Sequence, residues 1–214
     1  MLKKLWDVLK KRNVLEQSLL DTLKMLDLSK KLFEDAFKSL VDFDTELAQV
    51  VVENDKKIDD MKIKIRKEML GYLVGSDETD IAYSVLIIDA STNIERIGDY
   101  CASIADMVIE YPKPLDRDDA YHPLLFEAYE TIIRLFESTT KAVMKDSDMI
   151  AEQTIEEHKT KTRALTNKII KMLNNDTEVK TKRAIRLAML SHLFRRISGH
   201  LANISGSVIT PIHR

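Results

Sequence analysis

Cysteine occurs once in this 214-residue chain, at Cys101, while glycine occurs five times and proline four. A single cysteine excludes an intramolecular disulfide and suits a reducing compartment. So little glycine and proline leaves few tight turns, and no stretch of four or more residues alternates convincingly enough to argue for a sheet. No run of 18 apolar residues exists, so no helix is expected to span a membrane, and no signal peptide is visible. No glycine-rich phosphate loop is present, and the lone thiol falls on an apolar stripe, where packing is its expected role. The residues three before His122, His158, His192 and His200 are Asp119, Ile155, Met189 and Ile197, so the Glu-x-x-His spacing of a ferritin-like di-metal bundle is missing. These absences leave no enzyme class standing.

What is present is helical. Apolar residues make up 44% of the chain and charged residues 32%, the balance of a helical protein with a charged surface. Ile94, Ile97, Cys101, Ile104 and Val108 step by three and four, one continuous apolar stripe. Leu47, Val51, Ile58, Met61, Ile65 and Met69 form another upstream. Gly75, Ser76 and Asp77 are expected to end one helix and cap the next, Asn174, Asn175 and Asp176 to form a late turn, and aspartates at 42–44 and 146–148 to cap two further helices. The reading is all-α, with about six long helices. Residues 1–12 form a short basic amphipathic segment, 13–111 a first three-helix repeat, 112–123 a proline-bearing linker, and 124–214 a second repeat.

The two repeats look duplicated. LFE at 32–34 recurs at 135–137, and Ala48 falls on Ala151, both at an offset of 103. In the last helix of each half, an offset of 100 pairs Ser91 with Ser191, Arg96 with Arg196, Ile97 with Ile197 and Ile104 with Ile204.

Charge is segregated although the net is only -2. Residues 34–60 hold nine acids against three lysines, and residues 159–196 hold eleven Lys or Arg against two acids. Within NIERIGDYCASIAD, residues 93–106, Glu95 and Asp99 stand four apart, a spacing that sets like charges side by side. At about 100° per residue they lie nearly opposite the isoleucine stripe, on the outside of the bundle, and Arg96 points away from their face. ENDKKIDD at 53–60 places Asp55 and Asp59 on one flank of the preceding helix. If these helices pair antiparallel, the two acid pairs converge, and a divalent or iron ion relieves their repulsion. An all-oxygen set suits Fe, Mn, Mg, Zn or Ca without distinguishing them.

ELAQVVVENDKKIDDMKIKI followed by NIERIGDYCASIAD resembles the PhoU family of phosphate-uptake regulators, whose mark is an acid-xxx-Asp motif on each of two adjacent helices. The resemblance implies two three-helix bundles with metal bound at the bundle surface. It implies a cytoplasmic homodimer, peripheral at the inner face of the membrane, that restrains a phosphate transporter or its ATPase subunit and a sensor kinase. Asp55, Asp59, Glu95 and Asp99 match the motif. The second repeat departs from it: Arg195 stands where Glu95 stood and Gly199 where Asp99 stood, Asp55 falls on His158 or Lys159, and Asp59 on Thr162 or Arg163. Metal is therefore expected in the first half alone. His192, Arg196 and His200, beside Arg195, instead form a basic stripe suited to an anion or an acidic partner.

Three alternatives stand beside this reading. One is an accessory role to a sodium-phosphate or other permease, and another is a structural adaptor without metal. A nucleic-acid binder fits poorly, since Phe194 is the only aromatic in the basic segment. In residues 1–12, Leu2, Leu5, Trp6 and Leu9 share a face ringed by basic residues, a pattern suited to an anionic lipid surface or to docking on protein.

Overall fold

The computed structural model describes residues 2–74, 78–111, 113–115 and 120–209, without the side chains of 2–13 and 78–79. Its helices are α1 (Leu2–Asp42), α2 (Thr45–Leu73), α3 (Glu78–Glu110), α4 (His122–Lys145), α5 (Asp148–Glu157), a π turn (His158–Thr162), α6 (Arg163–Asn175) and α7 (Thr181–Ile209). Because α5, the π turn and α6 run on without a break, these are the six long helices of the periodicity, and no strand occurs among the described residues. The first helix differs from expectation at its start. It runs for 41 residues through position 12, so the basic segment is the N-terminal extension of α1 rather than a separate piece. Its amphipathic face, like the turn at 75–77, lies outside the described residues.

Side-chain oxygens start the helices where the sequence offered them. Asp44 accepts the amide of Leu47 at the start of α2, and Ser147 accepts that of Ile150 at the start of α5. Asp146 closes α4 in the left-handed conformation, with φ at 46°. Asp176 accepts the amides of Glu178 and Val179, making the turn into α7.

Every residue of the Ile94 to Val108 stripe is buried, as are Val51, Ile58, Ile65 and Met69. Lys64 meets Asp21, and Lys62 meets Glu95, so α2 runs antiparallel to both α1 and α3. The halves share one core. Phe33 and Phe37 of α1 pack on Tyr129 of α4 and Phe194 of α7, and the ring centroids of Phe37 and Tyr129 are 4.0 Å apart. Buried serines and threonines return their hydroxyl protons to carbonyls three or four residues back, as Ser39 does to Ala36 and Ser191 to Leu187. Such small residues let the helices approach closely, and among the buried ones Thr162 Oγ1 is left without a hydrogen-bond partner.

Candidate metal centre

Asp55 and Asp59 sit on α2, and Glu95 and Asp99 on α3, facing each other across the outer groove of this antiparallel pair. The apolar stripes of both helices turn inward, which forces the acids out toward the groove. They are not freely solvated there: the Glu95 side chain is only 13% exposed, against 37% for Asp99. Asp55 reaches deepest. A Cβ on Gly98 would overlap its Oδ1, so glycine at 98 is what admits the carboxylate against the backbone of α3. Asp55 Oδ1 and Glu95 Oε2 are both buried without a hydrogen-bond partner.

Electrostatics registers the convergence. Burial, and then the charges of Asp99, Asp59 and Glu95, push the Asp55 carboxyl up to about 6. Burial and Glu95 also raise that of Asp99, against the opposing pull of Arg96. Cys101 lies fully buried beneath, its thiol raised well above the usual range by burial and by Asp55, so it is packing and not a nucleophile.

Two cations enter the cluster that the spacing alone did not place there. Lys62 Nζ lies 2.6 Å from Glu95 Oε1 and donates to it. The expectation that Arg96 cannot reach the acid face needs correction. Its guanidinium donates to Asp99 Oδ2 at 3.2 Å and lies 3.7 Å from Glu95 Oε2, because a long side chain folds along the helix to a neighbour three positions on. Lys62 had a legible signal, standing three residues after Asp59 on the same flank. Gly98 had none until α2 was seen to cross it.

With these cations engaged, no three His, Cys, Asp or Glu side chains among the described residues close on a common point. The donor set still fits a hard cation. It is all oxygen, two of its oxygens are buried and accept no hydrogen bond, and it carries more negative charge than Lys62 and Arg96 neutralise.

The second half settles the register that the sequence left open. Asp44 and Ser147 cap equivalent helices at an offset of 103, and Val51 and Thr154 are equivalent buried positions at the same offset. From Thr162, the last residue of the π turn, the buried pairs become Ile58 with Thr162 and Ile65 with Ile169, an offset of 104. The π turn thus absorbs one inserted residue. Asp55 therefore corresponds to His158 and Asp59 to Arg163, while Glu95 and Asp99 correspond to Arg195 and Gly199.

The predicted basic stripe is assembled into one cavity of about 1030 Å³, where His192, Arg195, Arg196 and His200 of α7 meet His158, Lys159 and Arg163. His200 is not a cationic member of it. Its Nδ1 donates to Asn93 Oδ1 at 2.9 Å, since the Asn93 amide is committed to Asp89, and burial with Arg196 and Arg96 lowers its pKa to about 4.

A double three-helix bundle with acid-xxx-Asp motifs paired on adjacent outer helices defines a class of helical-bundle proteins. Residues 22–108 match the family model of the PhoU domain. Over 58% of its length the chain is 26% identical to the phosphate-specific transport system accessory protein PhoU homolog 2 of Thermotoga maritima, matching 48% of that protein. Homolog 1 of the same organism is 25% identical over 64% of the chain and 56% of that protein. The chain thus spans about half the length of the curated relatives it matches. The crystal structure of PhoU from Pseudomonas aeruginosa superposes with a TM-score of 0.82 at 22% identity, covering 92% of this chain and 96% of that one. The phosphate transport system regulatory protein PhoU from Streptococcus pneumoniae gives 0.80 at 18%, covering 93% and 95%. At such identities the two structures establish the fold. Among the described residues no helix is long and apolar enough to cross a membrane.

Proposed function

We propose that the chain is a non-enzymatic regulator of phosphate uptake that binds a membrane phosphate transporter or its ATPase subunit, with a divalent or iron ion held in the α2–α3 groove. The names of the curated relatives support the phosphate role. The observation that carries the metal site is the pair of buried oxygens that accept no hydrogen bond, Asp55 Oδ1 and Glu95 Oε2, within a four-carboxylate cluster. Asp55 and Glu95 would hold the ion from below, and Asp59 and Asp99 from the rim. The ion supplies positive charge that lets four acids share one groove. Lys62 and Arg96 hold Glu95 and Asp99 in its absence and are released toward solvent or a partner surface when it is present. The chain acts as a cytoplasmic homodimer at the inner face of the membrane. Residues 1–12 supply the lipid contact, and a sensor kinase is a second partner.

Metal analysis of the parent against Asp55→Ala with Asp99→Ala tests the site, and unchanged metal content in the double variant removes it. The regulatory role is tested by phosphate uptake in cells with and without the chain. Uptake should rise on deletion and remain independent of sodium, whereas sodium-dependent uptake favours a cotransporter as the partner. Liposome sedimentation with and without residues 1–12 tests the lipid contact, and equal binding rejects it.

A further inference from the structure

The cavity of the second half is the acid site with its charge inverted. Where the first half sets Asp55, Asp59 and Glu95, the second sets His158, Arg163 and Arg195. Gly199 in place of Asp99 opens the floor, because a Cβ there would meet only the His158 ring, Cε1 at 3.7 Å and Nε2 at 4.0 Å. The inverted set is solvated only at its rim: Lys159, Arg163 and Arg196 are exposed, whereas His158 and Arg195 are half-buried. His158 begins the π turn, and its ring lies over α7 with Nδ1 2.9 Å from Ser198 Oγ, the residue at the place of Gly98. The Ser198 hydroxyl gives its own proton to the Arg195 carbonyl at 3.0 Å, so Ser198 Oγ accepts from His158 Nδ1–H. His158 Nε2 is thereby left for a ligand. Among the described residues Lys159, Arg163, Arg195 and Arg196 have no carboxylate within ion-pair distance: Arg195 donates to the Asn167 side-chain oxygen, and Arg196 to the Tyr100 hydroxyl. Glu157, the acid nearest in sequence, is taken by Arg134 and Lys161.

We propose that this cavity, framed by His158, Lys159, Arg163, Arg195 and Gly199, is an anion site that takes a phosphoryl group, free as orthophosphate or carried on a lipid headgroup. A single planar carboxylate is satisfied by one guanidinium fork, whereas here cations converge from the π turn, α6 and α7, three directions that match the separate oxygens of a tetrahedral anion. Hydrogen phosphate also carries an O–H, the one ligand group that a neutral imidazole nitrogen can accept. His158 is held neutral by burial and by Arg163, Arg195 and Lys159. The cavity volume leaves room for more than the phosphoryl group, and Leu86 and Ile155 give its wall an apolar strip. The inference stands apart from the metal site and from the regulatory role.

Calorimetric titration of the full chain with orthophosphate at low ionic strength tests the proposal, run beside flotation with phosphatidylcholine vesicles containing or lacking phosphatidate. Metal content is measured on the same samples, so that loss of the metal site and loss of the anion site are told apart. Binding of one orthophosphate is expected, weakened about tenfold or more by Arg163→Gln with Arg195→Gln, since each removes a charge-assisted hydrogen bond. Gly199→Asp, which returns a carboxylate to a position with room for it, should abolish binding. Lys168→Gln, on the exposed face of α6, should change nothing. Binding to phosphatidate vesicles without orthophosphate binding, lost in the same variants, supports the site with a lipid as the source. No binding to either probe overturns the proposal, as does equal weakening by Lys168→Gln.

Discussion

Asp55 Oδ1 occupies the space that a methyl group on Gly98 would fill, so the carboxylate of α2 and the backbone of α3 are in direct register. Gly98→Ala must displace the carboxylate, because Ile58 crowds the same side. We expect metal capture to weaken by about tenfold or more, with a stability loss of about 1–3 kcal/mol from overpacking. Circular dichroism should show the helix content retained. Parent-like metal affinity in this variant would sink the role given to Asp55.

The raised carboxyl of Asp55 fixes a pH dependence in chelated protein. Its folded value of about 6 stands above the ordinary 3.8, so between these values the folded state holds a proton that the unfolded chain has lost. Stability therefore falls as pH rises from about 4 through 6, by on the order of 2 kcal/mol after allowing for partial exposure. Asp55→Asn removes the penalty. Its melting temperature should exceed that of the parent by about 4–8 °C at pH 7.5 and match it near pH 4. A variant equally shifted at both pH values counts against the explanation.

His200 slopes the other way. Its folded value of about 4 lies below the ordinary 6.5, so on acidification the unfolded chain takes up a proton that the folded one refuses. The stability it contributes is complete above pH 6.5 and is lost as pH falls toward 4, by about 2 kcal/mol at most. Denaturant titrations of His200→Gln against the parent at pH 7.5 and 4.5 isolate this contribution. The gap should shift in favour of the variant at the lower pH.

Arg186 is 6% exposed, donates through Nη1 to the Lys113 carbonyl at 2.6 Å and stacks over Tyr111, while its Nε and Nη2 have no partner. A buried guanidinium without a carboxylate is tolerated for its packing more than for its charge. Arg186→Met should leave stability within about 1 kcal/mol of the parent or raise it. Arg186→Ala, which also loses the stem, should lower it by about 1–3 kcal/mol. Equal losses in the two would show that the charge matters.

Much of this was legible in the chain. Helical period identified each buried position of the Ile94 stripe, and Asp44 caps α2 as expected, whereas at 146–148 Ser147 and not an aspartate starts α5; the offsets of 100 and 103 pair equivalent helices of the two halves. Those features are local: a period of 3.6 residues, a cap and a repeat all act within or between short stretches. The acid pairs were legible as pairs for the same reason.

What only the tertiary structure decided depends on helices meeting. That α2 crosses α3 with Asp55 over Gly98, that Lys62 joins Glu95, and that His200 turns to Asn93 as a neutral ring are facts of contact between distant segments. The identity of the second-half equivalents depended on one extra residue, taken up by the π turn, which no spacing rule locates. The sequence by itself determined the helices, their inward faces and the charge of each half. Packing determined which charges were buried, which were paired and which were left for a ligand, because desolvation and ion pairing are properties of neighbours in space.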